Sequence, residues 1–504
     1  MLTTKPPKIL YTVEQIRELD RLAIEAYHIA GFTLMNRAAQ AAYRVVKSQW
    51  PQARTLVVVC GVGNNGGDGY LLACLAQADG MKVTLVQAGS PRAGGDAARA
   101  CEQWLAGGGD TLSLSERMDV LRSADIIVDA LLGSGLQRNV SDAWLELIMD
   151  INKMSIPVLS MDIPSGLNAD TGAVMGVAVQ ASMTVTFIGQ KAGLYTGRGP
   201  DYVGKVYFDD LDVPDELYTR VPSAQHVLDK HILGSLLPTR KPVCHKGQFG
   251  HVLVIGGDIG MAGAVRMAAE AAARVGAGLV SVATHTRHAV QVGMSRPELM
   301  CHGIEHAREL LPLLDKASVV IIGPGLGQTD WARDILTTVL ATQLSLVVDA
   351  DALNLLARQP LKRGRWILTP HAGEASRLLG CSSQQVQDDR FSSVKDISEK
   401  YNCVAVLKGA GTLIHTVHEK FVHLCRDGNA GMATAGMGDV LSGIIAGLLA
   451  QGLSFTDAAR CGVLVHALAA DQVAQQGQRG MLATDLFPYL RRWVNADISA
   501  EGSP

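Results

Sequence analysis

Apolar and polar positions alternate along this chain in two successive series of short runs, and most runs end in a glycine-rich or acidic loop. In the first half, Thr12 and Gln15 form a capping box, after which Ile16, Leu19, Leu22, Ala23 and Ala26 recur at helical spacing. A second helix is expected over Leu34–Val46, closed off before Pro51. Strand-like runs then follow at Thr55–Val59, Val83–Val86, Ile126–Val128, Pro157–Met161 and Met183–Phe187, several separated by helical segments. Such alternation predicts a doubly wound, mainly parallel sheet with helices on its faces.

The pattern lapses between Asp209 and about Lys246, where Asp212, Pro214, Asp215, Pro222, Ser223, Pro238 and Pro242 interrupt it. Only Val227–Leu237 reads there as one short helix. The same logic then restarts. Runs at His251–Ile255, Leu279–Ala283, Ser318–Ile322, Leu346–Val348, Trp366–Leu368 and Cys403–Leu407 read as strands, with an Ala-rich helix over Gly263–Val275. Leu413–Thr416 with Lys420–Leu424 reads as a hairpin. The expectation is therefore two α/β domains, 1–220 and 221–504, the second sheet also mainly parallel.

Composition sharpens this picture. A chain of 504 residues with 48% hydrophobic and 18% charged positions describes a well-buried globular protein too long for one ordinary core. A formal net charge of -3 without a basic block argues against nucleic acid or an anionic membrane as the main partner. The nine cysteines include no C-x-x-C pair, which fits neither a disulfide framework nor a zinc centre and points to a reducing compartment. The opening Met1–Pro7 shows no signal peptide, and no apolar run approaches the ~20 residues of a membrane span. A soluble, cytoplasmic protein is expected.

Chemistry concentrates in the loops. In a doubly wound sheet, ligands bind beyond the carboxyl ends of the strands. Three such loops of the first half carry polar groups: Gly61–Gly69, with Asn64, Asn65 and Asp68 at its centre; Asp129–Arg138; and Asp162–Asn168. Together they predict a dinucleotide-sized site, and the side-chain oxygens of Asn65, Asp129 and Ser165 suit a hard alkali cation. In the second half, Asp351, Asn354, His371, Glu374, Lys408 and Asp439 all lie just past strand ends or at helix starts. The run Asn429–Gly443 passes from glycine-rich turn to apolar helix, a junction that points free N–H groups and a positive dipole end at one spot. Asp439 there reads either as a helix N-cap or as a base acting on a hydroxyl that attacks a phosphate. No Walker A pattern occurs, which excludes a P-loop NTPase.

The segments around Asn64–Asp68, Asp129–Arg138 and Asp162–Gly172, with Lys191 in Gly189–Gly193, resemble NAD(P)H-hydrate epimerase domains over about residues 10 to 215. That resemblance implies a potassium ion held through Asn65, Asp129 and Ser165. It also implies substrate contacts from Asn64, Asn65, Gly66, Gly67 and Asp68, from the loop Gly133, Ser134, Gly135, Leu136, Gln137, Arg138 and Asn139, and from Asp162. In the second half, Ala435–Asp439 resembles the anion-hole turn of the ribokinase-like superfamily. Gly256–Gly257, Gly323–Gly327, Thr369–Glu374, Lys408–Thr412 and Asn429–Gly443 together resemble the ADP-dependent NAD(P)H-hydrate dehydratases over about residues 230 to 490. Met437 stands where a small hydroxyl residue is commoner, and Thr484 where serine is usual. The implied roles are nucleotide binding by Lys408, Gly409, Ala410, Gly411, Thr412 and Gly438, hydrate contacts from Ala262, Gly325, His371 and Asp439, and a magnesium ion.

Both resemblances point to one damaged metabolite, NADHX or NADPHX, hydrated at C6 of the nicotinamide ring. The expected chemistry is epimerisation at C6, with Asp162 as the acid/base, followed by ADP-dependent dehydration with Asp439 as the base. Asp68 and Asp129 are further carboxylates near Asp162. A vitamin or sugar kinase and a non-catalytic dinucleotide sensor are the competing readings, and a homo-oligomer is expected.

Overall fold

The computed structural model describes Thr3 and residues 7–495, so most of the Met1–Pro7 stretch lies outside the described residues. The chain divides into two compact units, 1–225 and 226–504.

The valine-rich runs of the first unit are buried because helices cover both faces of the sheet. Along the strand Thr55–Cys60, Leu56, Val58 and Cys60 enter one apolar cluster, while Val57 and Val59 enter another. Each fully buried side chain of this kind is worth roughly 1.5–3 kcal/mol relative to exposure. The sheet is parallel throughout, in the order Thr111–Leu112, Lys82–Gln87, Thr55–Cys60, Ile126–Ala130, Val158–Met161, Met183–Phe187, Lys205–Asp209. The order reverses beside Thr55–Cys60, the position at which doubly wound sheets open a ligand crevice. The capping box is present: Thr12 Oγ1 accepts from Gln15 N at 3.3 Å, and Gln15 Oε1 accepts from Thr12 N at 3.0 Å. It starts the helix Val13–Glu25, and the next helix runs over Gly31–Gln49.

In the second unit, parallel strands lie in the order Met300–Ile304, Leu279–His285, His251–Ile255, Val319–Ile322, Ser345–Val348, Trp366–Leu368, Val404–Leu407. The hairpin Thr412–Thr416 and Val422–Cys425 continues the sheet antiparallel. Two helices of small residues, Ala262–Arg274 and Met437–Ala450, pack closely because Gly443 and Gly447 face Ala268 and Ala272 without side chains between them.

The structure corrects the sequence reading at several points. Val227–Leu237 is not one helix: Gln225–Val227 is extended, and only His231–Leu236 is helical. The strands Thr111–Leu112, Lys205–Asp209 and Met300–Ile304 were missed. They are peripheral, and their exposed or polar positions (Lys205 and Met300 among them) hide the continuous apolar signal of a central strand. Among the described residues, no helix is long and apolar enough to cross a membrane.

A Cβ added at Gly443 would lie 2.2 Å from the Ala268 carbonyl oxygen, so the two helices would have to part. Gly443→Ala is expected to destabilise the second unit by about 1–3 kcal/mol, read as a lowered midpoint of its transition in urea.

Candidate functional site

In the first unit polar loops converge on one cavity. A cavity of about 1170 Å³, large enough for a dinucleotide, is walled by Asn64, Asn65 and Asp68, by Gly133–Asn139, and by Asp162. Gly66 and Gly67 do not reach it. A side chain at Gly66 would strike the Gly61 carbonyl oxygen at 2.1 Å, and one at Gly67 would meet Met35 and Ala97, so these glycines let the helix Asn64–Ala78 start flat against its neighbours.

Asp129 and Ser165 lie together beneath the loops. Ser165 Oγ donates to Asp129 Oδ1 at 2.5 Å, Ser165 N and Ser160 Oγ donate to Oδ2 at 2.9 and 2.8 Å, and Leu132 N donates to Ser165 Oγ at 2.8 Å. Burial pushes the Asp129 carboxyl up, against these hydrogen bonds, and no lysine or arginine pairs with it among the described residues. Asn65, only 8% exposed, has neither Oδ1 nor Nδ2 hydrogen-bonded within the protein, and its Oδ1 would lie 3.7 Å from a Cβ on Gly133. A buried carboxylate without a counter-charge, bonded to serine hydroxyls, with the unpartnered Asn65 amide against the adjoining loop at Gly133, is a donor set that fits a monovalent hard cation.

Asp162 holds an uncommon left-handed backbone, with φ at 66°, at the end of the strand Val158–Met161. Its carboxylate forms an ion pair with Lys191, which is 1% exposed and also donates to Thr186 Oγ1 at 3.0 Å and Phe187 O at 3.2 Å. Asp68 and Asp20 also border the cavity with Lys191. Burial raises Asp68 well above the usual carboxylate range, helped by the charges of Asp162 and Asp20; burial likewise pushes Asp20 up to about 6. Sequence reading missed Asp20, which sits on an amphipathic helix and looks there like an ordinary solvated residue.

In the second unit, Asp439 is not the N-cap. Gly436 takes that position with φ at 90°, and the first intrahelical bond runs from Val440 N to Gly436 O. The N–H groups of Met437, Gly438 and Asp439 therefore precede the helical ladder and are available to an anion. Lys408 stands beside them: a Cβ on Gly438 would lie 3.2 Å from Lys408 Nζ and 3.6 Å from Asp349 Oδ2. The ammonium is held by Asp349 Oδ1 at 2.7 Å and lies 3.7 Å from Glu374 Oε2, while Asp349 Oδ2 accepts from Ser442 Oγ at 2.6 Å. Burial lowers the Lys408 ammonium, but Asp349 and Glu374 outweigh it and the net shift is upward.

The carboxylates around this lysine are out of their usual range. Burial, then the charge of Asp349, pushes Asp439 up to about 7; burial is also the main cause that brings Glu374 to about 7. His371 Nδ1 accepts from Gly373 N and Glu374 N as the cap of the helix Ala372–Leu379, so its other nitrogen carries the proton, 3.3 Å from Glu374 Oε1. Burial lowers His371, as do Lys408 and Arg377. Arg390, 1% exposed, donates to the carbonyls of Leu407, Lys408 and Gly411 and so shapes the loop Lys408–Thr412. Thr412 Oγ1 closes that loop onto Gly409 O at 3.1 Å, and Ala410 is exposed on it. Gly325 packs against Met261 and Ala264, next to Ala262, and Gly327 N donates to Asp351 Oδ2, a carboxylate that in turn acts on Asp439.

Asp349, Arg390 and Ser442 were missed as functional groups. Asp349 directly precedes the acidic loop that drew attention to Asp351; Ser442 lies inside the run Asn429–Gly443 but reads there as part of the apolar helix, and Arg390 is buried far off in sequence and carries no local signal. A second cavity of about 1420 Å³, bordered by Arg240, Phe249 and Gln451, opens at the opposite edge of this sheet and holds none of the predicted residues.

Comparison with known proteins places these two sites in context. Residues 252–492 match the family model described as NAD(P)H-hydrate dehydratase, and residues 31–193 match that of the YjeF-related protein N-terminus. The bifunctional NAD(P)H-hydrate repair enzyme Nnr of Coxiella burnetii is 52% identical, over 97% of this chain and 99% of its own length. Its counterpart in Escherichia coli is 44% identical, over 98% of this chain and 95% of its own. A crystal structure of a ribokinase-like superfamily protein from Enterococcus faecalis is 31% identical with a TM-score of 0.51, over 54% of this chain and 95% of that one.

Removing the Asp349 carboxylate leaves the largely buried Lys408 without its main partner. Asp349→Ala is expected to cost about 3–5 kcal/mol, visible as a drop in the urea midpoint of the second unit larger than that of Ser442→Ala.

Proposed function

The chain belongs to the family of bifunctional NAD(P)H-hydrate repair enzymes, and we propose the following division of labour between its units. The first epimerises NADHX and NADPHX at C6 of the nicotinamide ring. The second dehydrates the S epimer back to NAD(P)H, with ADP as phosphoryl donor and AMP and phosphate as products.

The observation that carries the dehydratase assignment is the position of Asp439: a shielded carboxylate in the first turn of a helix, beside three free N–H groups and Lys408. Hydroxide is a poor leaving group, so the C6 hydroxyl needs activation. Asp439 takes its proton as the oxygen attacks the terminal phosphorus of ADP. The N–H groups of Met437, Gly438 and Asp439 receive charge developing on the phosphoryl oxygens, and Lys408–Thr412 with Gly438 hold the nucleotide. The resulting phosphate ester leaves C6 as a proton is lost from C5, and the 5,6 double bond returns. Ala262, Gly325 and His371 face the hydrate in this reading.

Four carboxylates, Asp349, Asp351, Glu374 and Asp439, meet a single lysine here, so a polyphosphate entering the site needs an accompanying cation. Magnesium fits such a site, because it is held by one or two carboxylates together with phosphates and water. Asp351 and Glu374 are the carboxylates we assign to it. When bound, magnesium supplies neutralisation of the phosphate charge.

For the first unit we assign substrate contacts to Asn64, Asn65, Asp68, Gly133–Asn139 and Asp162, and the acid/base role to Asp162. Asn65, Asp129 and Ser165 are assigned to a potassium ion, whose charge would balance Asp129. Nine unpaired cysteines suit a cytoplasmic setting. Exposed Val290 and Met294, one turn apart on the helix Thr286–Ser295, support self-association, which light scattering on the purified chain would register as a mass above that of one 53.5 kDa protomer.

Asp439→Asn is expected to abolish ADP-driven recovery of reduced-nicotinamide absorbance from hydrated NADH while ADP still binds; retained turnover would exclude Asp439 as the base. Because the base must be ionised, the wild-type recovery rate should rise with pH through about 7 and then level off. Exchanging potassium for a much larger organic cation should slow interconversion of the two hydrates, and Asn65→Ala should remove that dependence.

A further inference from the structure

Epimerisation at a fixed ring asks for two proton-transfer groups. The departing hydroxyl must gain a proton on one face, and the incoming water must lose one on the other. A single carboxylate serves only one of these positions unless the substrate turns over in the site.

The cavity of the first unit offers more than one carboxylate. Asp162 comes from the end of the strand Val158–Met161, Asp68 from the helix Asn64–Ala78, and Asp20 from the helix Val13–Glu25. All border the same space as the buried Lys191, whose ammonium pairs with Asp162 and acts electrostatically on Asp20 and Asp68. Into the same cavity faces Asn65, with both its amide atoms unused by the protein, an independent mark of a ligand there. Arg17, Arg92, Asp96, Arg138 and Asp142 complete its charged wall.

On the epimerase reading given above, we propose that Asp20 is the second catalytic carboxylate, working with Asp162 across the hydrated ring. One of the two, as the acid, gives its proton to the C6 oxygen. The C6–O bond breaks, water departs, and the N1 lone pair forms the N1–C6 double bond. Water then adds to C6 from the other side; a new C6–O bond forms, the double-bond electrons return to N1, and the surplus proton goes to the other carboxylate. Nothing is oxidised or reduced. The two groups have exchanged protonation states, which readies them for the reverse passage. Asp20, at about 6, can exchange its proton near neutrality, whereas burial raises Asp68 well above the usual carboxylate range and favours its protonated form.

Interconversion of the separated R and S hydrates, measured by chromatography above the uncatalysed background, tests this. Asp20→Asn is expected to lower kcat by about a hundredfold or more, the usual contribution of a general acid or base, with KM little changed. Asp20→Glu should recover at least about tenfold of that loss, and the wild-type limb near pH 6 should be absent from the Asn variant. Circular dichroism and urea unfolding of the same preparations report whether the first unit of each variant is folded. Wild-type interconversion by Asp20→Asn would overturn the assignment. So would a Glu variant as impaired as the Asn one, or a loss confined to KM. If the wild-type chain fails to interconvert the hydrates, the epimerase reading falls and takes this assignment with it.

Discussion

An ammonium withdrawn from water cannot stay without a counter-charge, and this constraint organises both halves of the molecule. Lys191 in the first unit and Lys408 in the second each sit at the carboxyl-end edge of a parallel sheet, the first paired with Asp162 and the second held between Asp349 and Glu374. Desolvating such a charge costs several kcal/mol unless partners surround it, so each lysine fixes the relative positions of the elements that supply them. Asp349 shows the effect plainly, since its two oxygens tie the lysine after Val404–Leu407 to Ser442 inside the helix Met437–Ala450.

The same crowding sets the chemistry. More carboxylates than cations share each site, and burial penalises the surplus negative charge. Asp20, Asp68, Glu374 and Asp439 are all raised as a result, while the nearby histidine His466, buried in the helix Phe455–Ala474, is held down at about 4 and stays neutral. Carboxyl groups brought close to neutrality are those that can both accept and release a proton at working pH.

Glycine supplies the complementary condition, which is space. Gly61 and Gly66 allow one loop to lie against another with no side chain between them, and Gly436 turns the chain so that N–H groups face outward at the helix start. A side chain at Gly61 would strike the Leu131 carbonyl oxygen at 1.8 Å, and one at Gly66 the Gly61 carbonyl oxygen at 2.1 Å. In both units, the residues with least structure of their own therefore do most to shape the crevice.

Much of this was written in the order of residues alone. Strand-end loops rich in Gly, Asn and Asp declared themselves locally, because period and turn chemistry are properties of neighbours in sequence; Gly61–Gly69, Asp129–Arg138, Lys408–Thr412 and Asn429–Gly443 were all legible as loops in this way, as was the α/β class of both sheets. Peripheral strands such as Met300–Ile304 were not, since only a partner strand makes a polar, half-exposed run into sheet. Nor were Asp20 and Arg390, whose surroundings in sequence are unremarkable, or Asp349, which the neighbouring Asp351 overshadowed. Their meaning comes from a lysine or a loop brought beside them from far along the chain, and a charge becomes consequential only when folding removes its water.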